Sequence, residues 1–307
     1  MRALATLARH GRWLLIAGLV AGVSLPGLAG YLTPAIVPFI AVMLCITTLR
    51  EGPRAALPRP GRARRALTTT LILQCAAPFV AGGGLWACGL LDTPLATGVV
   101  LALAGAPITG TPGLAVMSGA DGGAALRMLI MGTALLPLTA VPGFVVLPVF
   151  PDPWAVISGA LRLLAIIGIS AGVALVLRAR IPALTRPETR PALDGIMVLA
   201  MALIVIALMS AVAPAARDTP GQLAAAFALA WGLYLVQTFA AWRTARSALP
   251  RPEALSVAIA AGNRNLALFL AAVPPETAAP LMVFVGCYQI PMYLTPMLLP
   301  RLTDARR

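Results

Sequence analysis

Apolar stretches of about 20 residues recur along the chain, separated by short segments rich in arginine, proline and glycine. Each is long enough to cross a hydrocarbon core of about 30 Å as a helix. Most are apolar on every side and lack the polar stripe that a helix on a soluble core presents. The pattern predicts helices at about 13–30, 32–49, 67–90, 94–118, 123–148, 154–177, 193–214, 221–242, 253–273 and 278–300. The expected fold class is an all-α polytopic membrane protein with ten transmembrane helices. The first stretch follows Arg2, Arg9 and Arg12 in the manner of a signal peptide. It continues to about Gly30 and meets the next span at once, so a retained helix is expected.

The polar positions orient these spans, because cytoplasmic loops hold the excess of basic residues. The 50–66 segment carries Arg50, Arg54, Arg59, Arg62, Arg64 and Arg65, and the 178–192 segment carries Arg178, Arg180, Arg186 and Arg190. The 243–252 segment adds Arg243, Arg246 and Arg251, and the C-terminus adds Arg301, Arg306 and Arg307. With Arg127 and the N-terminal trio, these are 20 of the 23 basic residues. Arg217 alone falls on the opposite side. The expectation is a multi-pass protein of the cytoplasmic (inner) membrane, with both termini in the cytoplasm. Ten spans divide into fives, 1–150 and 151–307, and an odd number per half inverts the second half relative to the first, as in many secondary transporters.

Two helices should break at mid-membrane. The fourth span holds Pro107, Gly110, Pro112 and Gly113 within seven residues, with Thr109 and Thr111 between them. Proline removes a backbone donor and glycine loosens the helix. The ninth span holds Gly262, Asn263, Arg264 and Asn265 at the corresponding depth. Backbone freed there is tolerated only against protein or a polar cavity, where transporters hold ions or substrate. Gln74 in the third span and Gln237 in the eighth are a further matched pair.

An arginine at the depth of Arg264 is costly and points to function. Arg162, nearer the outer end of its span, suits snorkelling. No carboxylate falls at mid-span. Asp121 and Asp194, near cytoplasmic helix ends, are the nearest acidic candidates to pair with Arg264. The alternatives are carbonyls at a broken helix end or an anionic ligand, since a guanidinium suits bidentate binding of carboxylate or phosphate.

At these residues the chain resembles the bile acid:sodium symporter family. Pro107, Thr109-Gly-Thr111 and Gly119-Ala-Asp121 are similar to the family's fourth-span motif, and Thr133-Ala-Leu-Leu-Pro137 to its fifth-span motif. Gln74 matches a third-span glutamine, and Asn263, Leu266 and Ala267 fit the ninth-span motif. The resemblance implies two inverted five-helix repeats with crossed broken helices four and nine. It also implies transport of organic anions such as bile acids, keto acids or sulfoconjugates, with arsenite extruders among distant relatives. The positions of the family's sodium ligands read Ala258, Gly262, Thr111, Pro112, Ala125 and Leu129 here, so sodium coupling is expected to be lost or altered. The substrate-binding or ion-binding set expected is Arg264, Asn263, Asn265, Gln74, Thr109, Thr111 and Gly262.

Composition narrows the alternatives. Sixty per cent of residues are hydrophobic and 11% charged, against about 25% charged in soluble domains. The net charge of +13 does not indicate nucleic acid, because the arginines sit in short loops and lysine is absent. Cys45, Cys75, Cys88 and Cys287 have no metal spacing, and His10 is the single histidine. No enzyme activity, metal or cofactor is expected, and the partners are an organic anion and the bilayer. The alternative is a non-transporting sensor or a subunit of a membrane complex; oligomeric state is not fixed by the sequence. A fluorescent protein fused to the C-terminus is expected to mature and fluoresce, and alkaline phosphatase at the same point to stay inactive. Active phosphatase there would reverse the orientation.

Overall fold

The computed structural model describes residues 2–52, 60–273 and 275–304. Arg54, Arg59, Arg306 and Arg307 lie outside the described residues. The described residues form helices and hold no strand. In chain order these are α1 (Arg2–Arg9), α2 (Gly11–Ser24), α3 (Pro26–Leu32), α4 (Ile36–Glu51), α5 (Pro60–Leu71) and α6 (Ala77–Ala87). They continue with α7 (Pro94–Ala104), α8 (Thr111–Met117), α9 (Gly122–Thr139), α10 (Val141–Val146), α11 (Pro153–Arg180) and α12 (Arg190–Leu208). The last are α13 (Val212–Asp218), α14 (Pro220–Ala245), α15 (Arg251–Gly262), α16 (Pro275–Tyr293) and α17 (Thr295–Asp304).

Six helical segments among the described residues are long and apolar enough to cross a membrane: Pro26–Glu51, Ala63–Ala87, Gly122–Thr139, Pro153–Arg180, Pro187–Asp218 and Pro220–Ala245. Trp13–Ser24 and Pro94–Ala104 are apolar but shorter. The chain is a helical membrane protein, and its exposed Tyr31, Phe79, Val80, Trp86, Trp154 and Ile169 suit a surface solvated by lipid.

Local chemistry sets the helix starts. Asp152 caps α11 through the Ala155 amide at 2.8 Å, and Thr93 caps α7 through Ala96 at 3.1 Å. Each is followed by proline at the first helical position, where no donor is wasted. Asp121 caps α9 through Gly123 and Ala124, at 2.8 and 3.1 Å.

The helices pack in two groups. One holds α1 to α4 with α11 and α12; the other holds α5 to α9 with α14 to α16. In the first, α2 lies along α12 at short range. A Cβ on Gly18 would stand 3.1 Å from the Ala202 carbonyl, and one on Gly22 would stand 2.7 Å from Met209 Cβ. Small residues let helices approach where no hydrophobic drive exists between them. The arginine-bearing helix ends also meet. Arg178 donates to the Leu49 carbonyl at the end of α4 (2.7 Å), and Arg50 pairs with Asp194 on α12 at 2.7 Å.

Several expected spans are interrupted where continuity was expected. The first bends at Leu25, between α2 and α3, where Pro26 has no amide hydrogen. The third contains a π turn at Ile72–Ala76, and α12 gives way to α13 after Met209. Arg162 lies exposed on α11.

Gly22→Leu is expected to push α2 off α12 and lower stability by about 1–3 kcal/mol, the usual scale of overpacking. A melting temperature equal to that of the parent in detergent would refute this close contact.

Candidate functional site

The two interrupted helices cross at the centre of the second group. Helix α7 stops at Ala104 and α8 resumes at Thr111; α15 stops at Gly262, and a 3-10 turn resumes at Leu266–Ala271. The extended segments between them pair as an antiparallel bridge of Pro107 with Arg264. The Ile108 amide donates to the Asn263 carbonyl at 2.9 Å, and the Asn265 amide donates to the Ala106 carbonyl at 2.7 Å. Each break therefore satisfies part of the backbone that the other exposes.

The Arg264 side chain leaves this bridge and is 1% exposed, the largest fully buried side chain described. Its Nη2 donates to the carbonyls of Leu73, at 3.0 Å, and Leu103, at 3.3 Å. Both carbonyls are free for the same covalent reason. In a regular helix the Leu103 carbonyl would accept from residue 107, which is proline and has no amide hydrogen. The Leu73 carbonyl would accept from Ala77, but the π turn diverts that amide to Ile72, and Pro78 lies one position further on. A single guanidinium thus caps two helix segments left without donors by proline. Arg264 also stands near the C-terminal ends of α7 and α15, where helix dipoles favour a cation.

Asp121 and Asp194, the acidic partners expected for Arg264, are engaged elsewhere. Asp121 caps α9 and lies 3.8 Å from Arg127, while Asp194 pairs with Arg50. Both sit at helix ends, too far along their helices to reach the crossing. Among the described residues no ion pair involves Arg264, and its Nε–H has no acceptor.

Gln74 lies within the π turn, 1% exposed. Its Nε2 faces the carbonyls of Gly105 and Gly132, each at 3.4 Å, and its Oε1 accepts from Thr139 Oγ1 at 2.8 Å. Gly132 must lack a side chain here, since a Cβ would stand 2.8 Å from Gln74 Nε2 and 3.0 Å from Pro107 Cδ. Asn263 is fully buried; its Nδ2 donates to the Ile259 carbonyl (2.9 Å) and its Oδ1 accepts from Thr295 Oγ1 (3.1 Å). Thr111 turns its hydroxyl back to the Ile108 carbonyl at 2.6 Å. Pro112 is in the first turn of α8, Gly110 precedes that helix, and Gly113 lies within it. Gly262 packs against α14, where a Cβ would collide with the Thr238 hydroxyl and meet the Tyr234 ring at 3.0 Å.

Thr109, Arg264 and Asn265 share one wall of a cavity of about 40 Å³ with Gln289 and Tyr293 of α16. The facing wall is apolar and comes from the other helix group: Ile40 and Met43 of α4, and Met201, Ile204 and Leu208 of α12. The cavity therefore lies between the two groups, with the crossing, including apolar Ile108, Leu266 and Ala267, on one side and methyl and thioether groups on the other.

The spacing of polar residues did not reveal the buried network behind Asn263. Tyr234 Oη lies 2.8 Å from Thr295 Oγ1, and Tyr288 Oη donates to the Gly262 carbonyl at 2.9 Å while accepting from Gln237 Nε2 at 3.2 Å. Pro78, four residues after Gln74, was the one available sign of the π turn. Comparison with protein-family models finds none that matches this sequence, and comparison with curated proteins finds no match.

Arg264→Gln strands two buried carbonyls, and each unpaired group costs about 1–3 kcal/mol. The expected result is a lower melting temperature. In a Pro78→Ala background the third-span helix can regularise and give the Leu73 carbonyl a main-chain donor. The cost of Arg264→Gln should then shrink, with a coupling of about 0.5 kcal/mol or more. Additive losses in the double variant would show that Arg264 does not cap that carbonyl.

Proposed function

We propose that this protein is a secondary transporter that moves a small organic anion across the cytoplasmic membrane by alternating access, without the sodium coupling usual in the bile acid:sodium symporter family it resembles. The observation that carries the proposal is Arg264. It carries a buried guanidinium with carbonyl acceptors, no carboxylate partner among the described residues and an unpaired Nε–H, and the residue also lines a cavity between two helix groups. A net positive charge so placed favours an anion, and the apolar wall favours one with a hydrocarbon body.

In this reading the chain has ten transmembrane helices in two inverted repeats, 1–150 and 151–307. The hydrogen bonds at the crossing support that symmetry. They exchange Ala106 with Asn263 and Ile108 with Asn265, and the same exchange relates Gly105 to Gly262. In each half a glutamine of the preceding long helix addresses that glycine's carbonyl. Gln74 does so directly at 3.4 Å, and Gln237 does so through Tyr288 Oη. The halves differ in that the Gly105 carbonyl receives the glutamine amide itself, whereas the Gly262 carbonyl receives a tyrosine hydroxyl.

The same arrangement supports the loss of sodium coupling. Two half-helix C-termini converging at mid-membrane call for a positive charge. A symporter recruits that charge from solution and releases it in each cycle. Arg264 supplies it covalently, so it remains through the cycle and acts as a fixed counter-charge for the anion.

In proteoliposomes offered radiolabelled monocarboxylates and sulfonates, saturable uptake of at least one is expected at equal rates in sodium and choline media. Arg264→Gln should reduce it by about tenfold or more, the loss of one charge-assisted contact of about 1.5–3 kcal/mol. Uptake that needs an inward sodium gradient, or a sodium-specific rise in melting temperature, would defeat the fixed-cation reading.

A further inference from the structure

A second, separate cavity of about 40 Å³ lies where the N-terminal ends of α9 and α15 meet α5. Its wall includes Arg65 and Thr69 of α5, Arg127 of α9 and Glu253 of α15. Two guanidinium groups share this wall, each with one carboxylate at the edge of ion-pair range, Glu253 for Arg65 and Asp121 for Arg127. We infer that this cavity binds a phosphate group, as presented by the headgroup of an anionic phospholipid at the cytoplasmic surface.

The ion-pair geometry carries the inference. Charge-assisted hydrogen bonds between guanidinium and carboxylate close to about 2.7–2.9 Å, and the Arg50–Asp194 ion pair elsewhere in the protein approaches to 2.7 Å. At the cavity neither arginine closes on a carboxylate. Arg65 stands 4.0 Å from Glu253, and Arg127 stands 3.8 Å from Asp121. Asp121 is held back because its other oxygen, Oδ1, caps α9 through two amides. The Arg127 side chain is only 22% exposed, so water replaces the absent contact incompletely. Two guanidinium groups thus line one recess without a hydrogen-bonded counter-ion, and a tetrahedral oxyanion with several acceptors fits both.

The surroundings favour a lipid as the source. At the same end of α14, Arg246 stacks over the Trp242 ring at 4.5 Å, a pairing suited to the headgroup level. Below Arg65, α5 exposes Leu67 and Leu71 and the π turn that follows exposes Ile72, a surface along which acyl chains can lie. Basic recesses between transmembrane helices on the cytoplasmic side are a recognised form of lipid-headgroup site. The inference does not depend on what the central cavity carries.

The test is the melting temperature of the purified full chain in detergent, with dioleoylphosphatidylglycerol, dioleoylphosphatidylcholine or inorganic phosphate added. Phosphatidylglycerol is expected to raise it more than phosphatidylcholine does, because a ligand of the folded state stabilises by mass action. Arg65→Gln with Arg127→Gln should abolish that excess, while Arg186→Gln with Arg190→Gln should retain it. Arg65 is 66% exposed, so Arg65→Gln alone should fold and lose part of the excess even where the double variant does not fold. An equal rise with inorganic phosphate, lost in the same variants, would keep the phosphate site and assign it to a soluble ester. An excess that survives in Arg65→Gln and in the double variant, or no response to either phosphatidylglycerol or phosphate, would overturn the site.

Discussion

Backbone amides and carbonyls that leave a helix inside a bilayer must find partners within the protein, because the surrounding hydrocarbon offers none. Two helices of this chain break among buried neighbours, and the architecture around them follows from the need to satisfy what they release. The bridge between Pro107 and Arg264 pairs the extended segments with each other. The Leu103 carbonyl at the first break and the Leu73 carbonyl at the π turn of the third span lack main-chain donors and accept from one guanidinium. The charge at the centre is thus held by backbone carbonyls of two neighbouring helices.

That solution constrains the neighbours. Gln74 is fixed among the carbonyls of Gly105 and Gly132, so residue 132 must be glycine-sized. Gly262 must be bare for α15 to approach Thr238 and Tyr234 on α14. Tyr288 and Thr295 complete the far side by bonding to the Gly262 carbonyl and to Asn263. Such a network rigidifies when every member is partnered. The polar atoms it leaves over, Arg264 Nε, Gln237 Oε1 and Thr238 Oγ1, lie at or beside the crossing. The group formed by α1 to α4 with α11 and α12 faces this centre with Ile40, Met43, Met201, Ile204 and Leu208. At this cavity the first group therefore contributes apolar side chains alone.

Much of this was legible in the linear pattern. Runs of apolar residues fix helices by length and hydropathy, since a bilayer allows an isolated segment no other hydrogen-bonded form. The breaks at Pro107–Gly113 and Gly262–Asn265 follow from the covalent character of proline and glycine and from polar residues at mid-span. Depth alone marked Arg264 as exceptional, and the absence of mid-span carboxylates left carbonyls as one of its possible partners. The bends at Leu25 and after Met209 leave the apolar pattern uninterrupted, and Pro26 is the local mark of the first. The π turn at Ile72–Ala76 was missed; it depends on how one amide chooses between two carbonyls.

What the sequence determined by itself was the helical membrane class, the positions of the two central interruptions and the burial of one unmatched cation. These depend on local chemistry and on solvation of each segment in turn. Only the tertiary structure decided that Arg264 reaches Leu73 and Leu103, 191 and 161 residues away, in place of Asp121 or Asp194. It alone brought Gln289 and Tyr293 to the same cavity as Thr109 and set Arg65 beside Arg127. The physical reason is that a backbone carbonyl carries no mark in the sequence. Whether it is free depends on the turn around it, and what reaches it depends on which helices cross.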